Sequence, residues 1–232
     1  MKILPIRTGS SGNLYILTTS ENNRFLIECG IPKKKITKAL LSLNLDISDF
    51  KGCFVSHAHS DHCEAIEWVA DYMPVYSNQS LKEKYDRVIK LPPVKVYEIE
   101  DLKVIPFHVE HGTKENYAYM FKDKIDTMLF VTDFSNFHCN IFNNLFTEIF
   151  IECNWTKNLI ENYTYEIKEN RQINTHCSFD IVLLILKRLN LEKCRKITLI
   201  HPSDDYCDKR QCLEKLKYEF PNIVIEFATN LI

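Results

Sequence analysis

With 45% of its 232 residues hydrophobic and 26% charged, the chain carries enough apolar material for one sizeable core and needs no second domain, so residues 1–232 are read as one unit. A formal net charge of −2 and a pI near 6.5 exclude an overall nucleic-acid signature, so any contact with DNA or RNA must come from a local patch. No apolar run is long enough to span a membrane, and the start Met1-Lys2-Ile3-Leu4-Pro5 lacks the apolar region of a signal peptide; the expectation is a cytoplasmic protein with no membrane partner.

Taken in chain order, alternating and continuous apolar runs predict strands near 2 to 7, 13 to 19, 24 to 29, 52 to 56, 74 to 77, 94 to 99, 102 to 107, 117 to 122, 127 to 132, 148 to 152, 196 to 200 and 223 to 227. Helical periodicity predicts helices near 33 to 44, 62 to 72, 79 to 86, 156 to 168, 178 to 190 and 208 to 219. Strand clusters separated by helices imply an α/β fold with two sheets and helices outside. Repeats and low-complexity segments are absent from the sequence.

The densest chemistry is His57-Ala58-His59-Ser60-Asp61-His62, four potential metal ligands in six residues directly after the apolar run Gly52 to Ser56. On an extended segment His57 and His59 point to one side and grip one ion together. Asp61 and His62 fall on the turn into the next helix and reach a second ion, so two metals are expected. Nine cysteines, an odd number without a CxxC pair, argue against a disulfide framework or a zinc knuckle. They read as reduced core thiols, Cys63 beside His62 being the one with a weak claim on the metals. Two lysine-rich patches, Lys33-Lys34-Lys35 and Lys187-Arg188 with Lys193, Arg195 and Lys196, are candidate phosphate contacts whose plain reading is a solvated helix face.

HxHxDH after a strand resembles the first metal motif of the metallo-β-lactamase fold. The later motifs have counterparts in order: Phe107-His108-Val109-Glu110-His111-Gly112, with His111 the better ligand and His108 the runner-up; Phe130-Val131-Thr132-Asp133; and Thr198-Leu199-Ile200-His201. The opening Thr8-Gly9-Ser10-Ser11-Gly12-Asn13 and the run Phe25-Leu26-Ile27-Glu28-Cys29-Gly30 resemble the WalJ/YycJ-like branch, whose members read SGSSGN and LLVDCG. Ile151-Glu152-Cys153-Asn154 and Thr175-His176-Cys177-Ser178 resemble that branch and the related phosphodiesterase-type members, PhnP and ribonuclease Z among them.

This resemblance implies a four-layer αββα sandwich and two divalent ions, Zn²⁺ first and Mn²⁺ as the alternative. It assigns one ion to His57, His59 and His111, the other to Asp61, His62 and His201, with Asp133 between them. The implied mechanism is attack on a phosphodiester by a hydroxide bridging the two metals, Asp61 doubling as the base that orients the water. His176 contacts the phosphate or protonates the leaving oxygen, and Glu152 orients His176; the plain alternative for His176 is a histidine before a helix. The leading function is a nuclease of the DNA-exonuclease kind. The alternatives are a phosphodiesterase for a small cyclic nucleotide or cyclic phosphate, of the PhnP or phage anti-Pycsar kind, then a thioester or β-lactam hydrolase, then a non-catalytic binding module. Nucleic acid or a cyclic nucleotide is the expected partner, and a homodimer the compatible assembly. The two dozen residues between Glu152 and His176 leave no room for the inserted domain of the β-CASP nucleases. One departure stands out: Asp133-Phe134-Ser135 replaces the usual Asp-Thr-Gly, and the aromatic ring is expected to narrow the entrance.

Overall fold

In a computed structural model the described residues are 1–137, 143–160 and 173–232. Two sheets face each other. The first holds β1 (Lys2–Arg7), β2 (Leu14–Thr18), β3 (Arg24–Ile27), β4 (Phe50–Phe54), β5 (Val75–Ser77) and β6 (Val88–Lys90) in that order. The second runs β13 (Val224–Phe227), β12 (Lys196–Ile200), β11 (Glu148–Glu152), β10 (Thr127–Val131), β9 (Tyr117–Lys122), β8 (Leu102–His108), β7 (Tyr97–Ile99). Against the first sheet lie α1 (Lys33–Ser42), α2 (Ser60–Cys63), α3 (Ile66–Val69) and α4 (Gln79–Lys84). The remaining helices are α5 (Lys157–Ile160), α6 (Phe179–Arg188) and α7 (Lys209–Glu219).

Strands buried on both faces cannot alternate cleanly, and these do not: β2, β10, β11 and β12 read as nearly unbroken apolar runs. Three apolar clusters result. One fills the space between the sheets, with Phe25, Phe54, Tyr119, Phe121, Phe130 and Phe150 at its centre. The other two lie outside, where α1 and α3 cover the first sheet and α6 and α7 cover the second. This is the expected αββα order.

The predicted strands are present, with β4 beginning two residues earlier than expected. Strand β6 was not foreseen: three residues, two of them exposed, give no periodicity to detect. The helix expected over 62 to 72 is split in two. The His62 carbonyl accepts the Cys29 N–H at 2.9 Å and the Ala65 N–H donates to the Cys29 carbonyl at 3.0 Å, so the connection after β3 takes two backbone groups that an unbroken helix would use itself. Of the helix expected over 156 to 168, α5 accounts for the described start, and residues 161 to 168 lie outside the described residues.

The parallel runs β3–β4–β5–β6 and β10–β11–β12–β13 point their C-terminal ends at one edge of the sandwich. Strand β8 is antiparallel to β9, which is antiparallel to β10, so β8 also ends there. The sites of open α/β sheets form at such an edge.

Candidate metal centre

Six of the strands that reach this edge deliver a titratable side chain at or just past their ends. Glu28 follows β3, His57 follows β4, His111 follows β8, Asp133 follows β10, Glu152 closes β11 and His201 follows β12. Three of them, Glu28 (φ 62°), Asp133 (φ 49°) and His201 (φ 51°), have a left-handed backbone that costs a non-glycine residue energy and turns the chain sharply after the strand.

Two adjoining groups of ligand atoms result, and Asp133, Glu152, His176 and His201 form a third set that overlaps the second. His57, His59 and His111 bring their ring nitrogens within 4.8 Å of one another, and so do Asp61, His62, Asp133 and His201 with theirs. His57 Nε2 lies 2.9 Å from His59 Nδ1, and His111 Nε2 lies 3.3 Å from the same atom. Asp133 stands between the groups. Its Oδ1 is 3.3 Å from His62 Nε2 and 3.5 Å from His201 Nε2, while Oδ2 is 3.8 Å from His111 Nε2. Asp61 Oδ2 is 3.5 Å from His62 Nε2 and 3.9 Å from His201 Nε2.

The outward ring nitrogens are tied down, which fixes what the inward ones do. His111 Nδ1–H donates to the Thr175 carbonyl at 2.5 Å, and His57 Nδ1 meets the Ser56 hydroxyl at 2.9 Å. His62 Nδ1 faces Glu28 Oε2 at 3.5 Å and His201 Nδ1 faces Glu152 Oε1 at 3.3 Å. Carboxylates behind imidazoles hold the tautomer that turns Nε2 toward the centre. Glu28 was quoted in the sequence only as part of a motif. It is fully buried, takes the Ser56 N–H on both oxygens at 3.2 Å and so braces the strand end that carries His57. The available signal was the aspartate that relatives place at this strand end.

The electrostatics divide the two groups. Burial pulls His57 well below the usual imidazole value and pulls His59 and His111 down as well. At His62 and His201 burial also disfavours charge, but the carboxylates win: Asp133 and Glu28 hold His62 well above its ordinary value, and Asp133, Asp61 and Glu152 push His201 up to about 10. Burial opposes ionisation of Asp133 as well, yet His201 and His62 keep it well below the usual carboxylate range. Three neutral imidazoles crowd together on one side and an ionised cluster lies on the other.

Both sides suit divalent cations. Three ring nitrogens, one buried and two half-buried, held in contact while protonation is disfavoured call for a shared cation, and His201 Nε2 is fully enclosed without a hydrogen-bond partner. The donor set of imidazole nitrogen and carboxylate oxygen matches zinc or manganese.

His176 joins this group. Its Nδ1–H donates to Glu152 Oε1 at 2.6 Å, its ring is 5.1 Å from that of His111 and stacked 5.4 Å from that of His201, and Nδ1 is 3.9 Å from Asp133 Oδ2. Burial lowers its pKa, but Glu152 outweighs burial and raises it. Glu152 is saturated on both oxygens, since Oε2 takes the N–H of Phe134 at 2.8 Å and of Cys177 at 3.2 Å.

Three candidates fall elsewhere. His108 lies on β8 with its exposed ring 5.0 Å from Tyr117, and His111 alone of the pair reaches the centre. Cys63 Sγ donates to the His59 carbonyl at 3.2 Å from the core side. Phe134 does not narrow the entrance. The left-handed turn at Asp133 sends the next side chain into the core, where Phe134 is fully buried with Leu129, Val131, Phe137, Ile151 and Ile185.

Above the centre opens a cleft of about 520 Å³ lined by Ser10, His59, Ser60, Asp61, Asp133, Asn154, His176, His201, Pro202, Ser203, Asp205 and Tyr206. Among the described residues no lysine or arginine lines it. Lys33 and Lys34 border a different groove, beside Trp68 and Tyr72, while Arg195 pairs with Asp126 and Glu148, Lys196 with Glu226 and Lys187 with Glu219. Neither patch reaches the cleft, and Lys187, Arg195 and Lys196 are engaged in ion pairs elsewhere.

The loop Gly9 to Asn13 and the residues after β3 pack beneath the Asp61–His62 turn. Asn13 N–H donates to the Asp61 carbonyl at 2.8 Å, and a Cβ on Gly30 would lie 1.7 Å from that same oxygen. The Gly30→Ala substitution therefore displaces the turn that carries Asp61 and His62. Its expected result is a loss of ~1–3 kcal/mol in chemical unfolding and weakened divalent-ion retention by dialysis; unchanged retention would mean that the turn tolerates the shift.

The family described as Anti-Pycsar protein Apyc1 matches residues 8–83. The exodeoxyribonuclease YycJ of Bacillus anthracis is 27% identical over 139 residues, 55% of this chain and 52% of that protein, so the chain spans about half the length of the curated relatives it matches. Among solved structures, the metallo-β-lactamase fold protein YhfI from Bacillus subtilis superposes with a TM-score of 0.77 over 98% of this chain and 96% of its own, at 15% identity. A diphosphatase from the PhnP family superposes at 0.69 over 98% and 94%, at 18% identity. A chain that superposes on these structures over nearly its whole length has the metallo-β-lactamase fold, and part of it is similar in sequence to YycJ.

Proposed function

We propose that the chain is a metal-dependent phosphodiester hydrolase and, within that class, a nuclease of the DNA-exonuclease kind. The observation that carries the reading is the Glu152–His176 pair set beside two adjoining groups of metal-ligand type. A β-lactam or thioester hydrolase has no need of a further histidine beside the centre whose protonated form a buried carboxylate favours, whereas departure of an alkoxide from phosphorus does. The relatives named exodeoxyribonuclease support the choice of a polymer.

In this reading His57, His59 and His111 hold one divalent ion and Asp61, His62 and His201 the other, with one Asp133 oxygen turned to each. Zinc is the first candidate and manganese the second. Bound there, two such ions supply Lewis-acid polarisation of the phosphate and a water that ionises near neutral pH. Asp61, with its side chain on the cleft wall, would orient the attacking water as its base. His176, whose protonated form Glu152 and Asp133 favour, gives a proton to the leaving oxygen. Glu152, ionised because His176 and His201 outweigh its burial, fixes both rings and touches no substrate. Asn154, Ser203 and Ser10 are hydrogen-bonding groups for the rest of the substrate.

A second reading keeps the chemistry and changes the size of the substrate. A cleft of about 520 Å³ without a lysine or arginine among its described lining residues suits a small cyclic nucleotide, and residues 8–83 match the family described as Anti-Pycsar protein Apyc1. End-labelled single- and double-stranded DNA, RNA and cyclic mononucleotides, assayed with Mn²⁺ or Zn²⁺ beside the Asp61→Ala variant, decide between them. Degradation of DNA from an end that Asp61→Ala abolishes is the expected result. Hydrolysis of cyclic nucleotides with no attack on any polymer would overturn the nuclease reading and leave the centre as assigned.

The unequal protonation of the two groups has a measurable consequence in the chelated protein. The folded His201 holds its proton up to about pH 10 and His62 is also raised, against ~6.5 in the unfolded chain. Their stabilisation is complete below about pH 6.5 and is lost as the pH rises toward 10. The metal-free protein is therefore expected to melt at a lower temperature at pH 9.5 than at pH 6.5. Zinc-loaded protein, whose histidines have given up those protons, loses less over the same range. Equal slopes for the two forms would show that His62 and His201 do not exchange protons for metal.

A further inference from the structure

Under the wall of the cleft, away from the histidines, three cysteines distant in sequence meet. Cys153 follows β11, Cys207 ends the loop after His201, and Cys212 lies in the first turn of α7. Their sulfurs lie within 4.8 Å of one another, and Cys153 Sγ is 3.8 Å from Cys212 Sγ. All three are free thiols; Cys153 and Cys212 are fully enclosed and Cys207 is 8% exposed.

Two features set this apart from cysteines that merely fill a core. Sulfurs bound at about 2.3 Å to one tetrahedral ion stand about 3.8 Å apart, the separation found between Cys153 and Cys212. The three thiols also act closely on one another: neighbouring sulfurs favour the Cys207 thiolate, with Lys209 helping, while the same neighbours and burial push Cys153 and Cys212 up. Among the described residues no fourth histidine, cysteine or carboxylate completes the group, so a fourth position is left for water, or the ion is trigonal.

We propose that Cys153, Cys207 and Cys212 form a three-thiolate site for a thiophilic d¹⁰ cation, Zn²⁺ or Cu⁺, separate from the histidine and aspartate centre. Its place gives it a task. Cys153 sits between Glu152 and Asn154, which contact His201, and Cys207 follows Tyr206, a residue of the cleft wall. Backbone bonds already join these segments: Ser203 N–H donates to the Asn154 carbonyl at 2.9 Å and Thr156 N–H to the Tyr206 carbonyl at 2.8 Å. An ion bound to the three sulfurs clamps the wall of residues 202–207 to the end of β11. On binding, the thiol protons of Cys153 and Cys212 pass to solvent.

The test uses Co²⁺ as a spectroscopic probe on reduced, metal-depleted full chain. A sulfur-to-cobalt charge-transfer band in the near ultraviolet is expected in the wild type and in Asp133→Ala, and is lost in Cys207→Ser, because the histidine and aspartate centre contains no sulfur. Displacement of the band by Zn²⁺ assigns the site to zinc; displacement by Cu⁺ and not by Zn²⁺ assigns it to copper. Absence of any thiolate band in the wild type with either Co²⁺ or Cu⁺ overturns the proposal, and that result does not depend on a variant folding. Persistence of the band in both Cys207→Ser and Cys212→Ser, with native circular dichroism, overturns it as well. Neither outcome touches the phosphodiester reading, which rests on other residues.

Discussion

Asp133→Ala is expected to reduce the divalent-ion content of metal-supplemented protein from about two per chain to less than one and to bring phosphodiester hydrolysis down to the background rate. The reason is position. Oδ1 faces His62 and His201 while Oδ2 faces His111, so the substitution removes a donor from both groups at once. It also removes the negative charge that lets His62 and His201 sit protonated side by side when metal is absent. Truncating one partner of such a buried charged set costs ~3–5 kcal/mol, so the metal-free variant should unfold at clearly lower denaturant concentration than the metal-free wild type. Elemental analysis of dialysed, folded protein is the check. A wild type that holds one ion or fewer after supplementation would remove the two-metal assignment, and a variant that keeps two would remove Asp133 from its place between them.

His176→Ala should separate metal retention from catalysis. The ring is held by Glu152 at 2.6 Å, and although it lies within ligand distance of Asp133, Glu152 and His201, neither group assigned an ion depends on it, so ion content should not change. Turnover should fall on the order of 10²–10⁴-fold on a nucleoside ester, whose alkoxide leaves poorly without a proton. The loss should be smaller, about tenfold, on bis(p-nitrophenyl) phosphate, whose phenolate leaves readily unprotonated. That difference distinguishes proton donation from mere support of the fold, which would depress both substrates alike. The pH profile gives a second readout. Glu152 raises His176, so the acid form persists to higher pH than in a free imidazole and the rate declines as pH rises through that raised value. In Glu152→Gln the carboxylate is gone, the His176 pKa drops, and the alkaline limb should move to lower pH. Equal losses on both substrates and an unmoved limb would leave His176 a structural residue.

The sequence by itself determined the strands that end in chemistry and the order in which their histidines and aspartates arrive. Apolar runs terminated by polar ligands are a local signal, and HxHxDH places four ligands on one strand end and turn whatever the rest of the chain does. The same locality explains the layer order, since periodicity reports which faces are buried. It could not report where side chains go after a strand ends. The left-handed turn at Asp133 sends Phe134 into the core, and that angle is imposed by packing against Glu152, 18 residues further on, through the Phe134 N–H bond. The helix over 62 to 72 breaks for the same kind of reason, because Cys29 takes its bonds from 33 and 36 residues away. Glu28 becomes a brace for His57 and His62 only once β3 and β4 lie side by side. The spacing of Cys153, Cys207 and Cys212 carries no motif, and their sulfurs meet because β11 and β12 are neighbours and the chain after β12 returns to cover the end of β11. Contacts between residues far apart in the chain have no periodic signature, and these were left for the tertiary structure to decide.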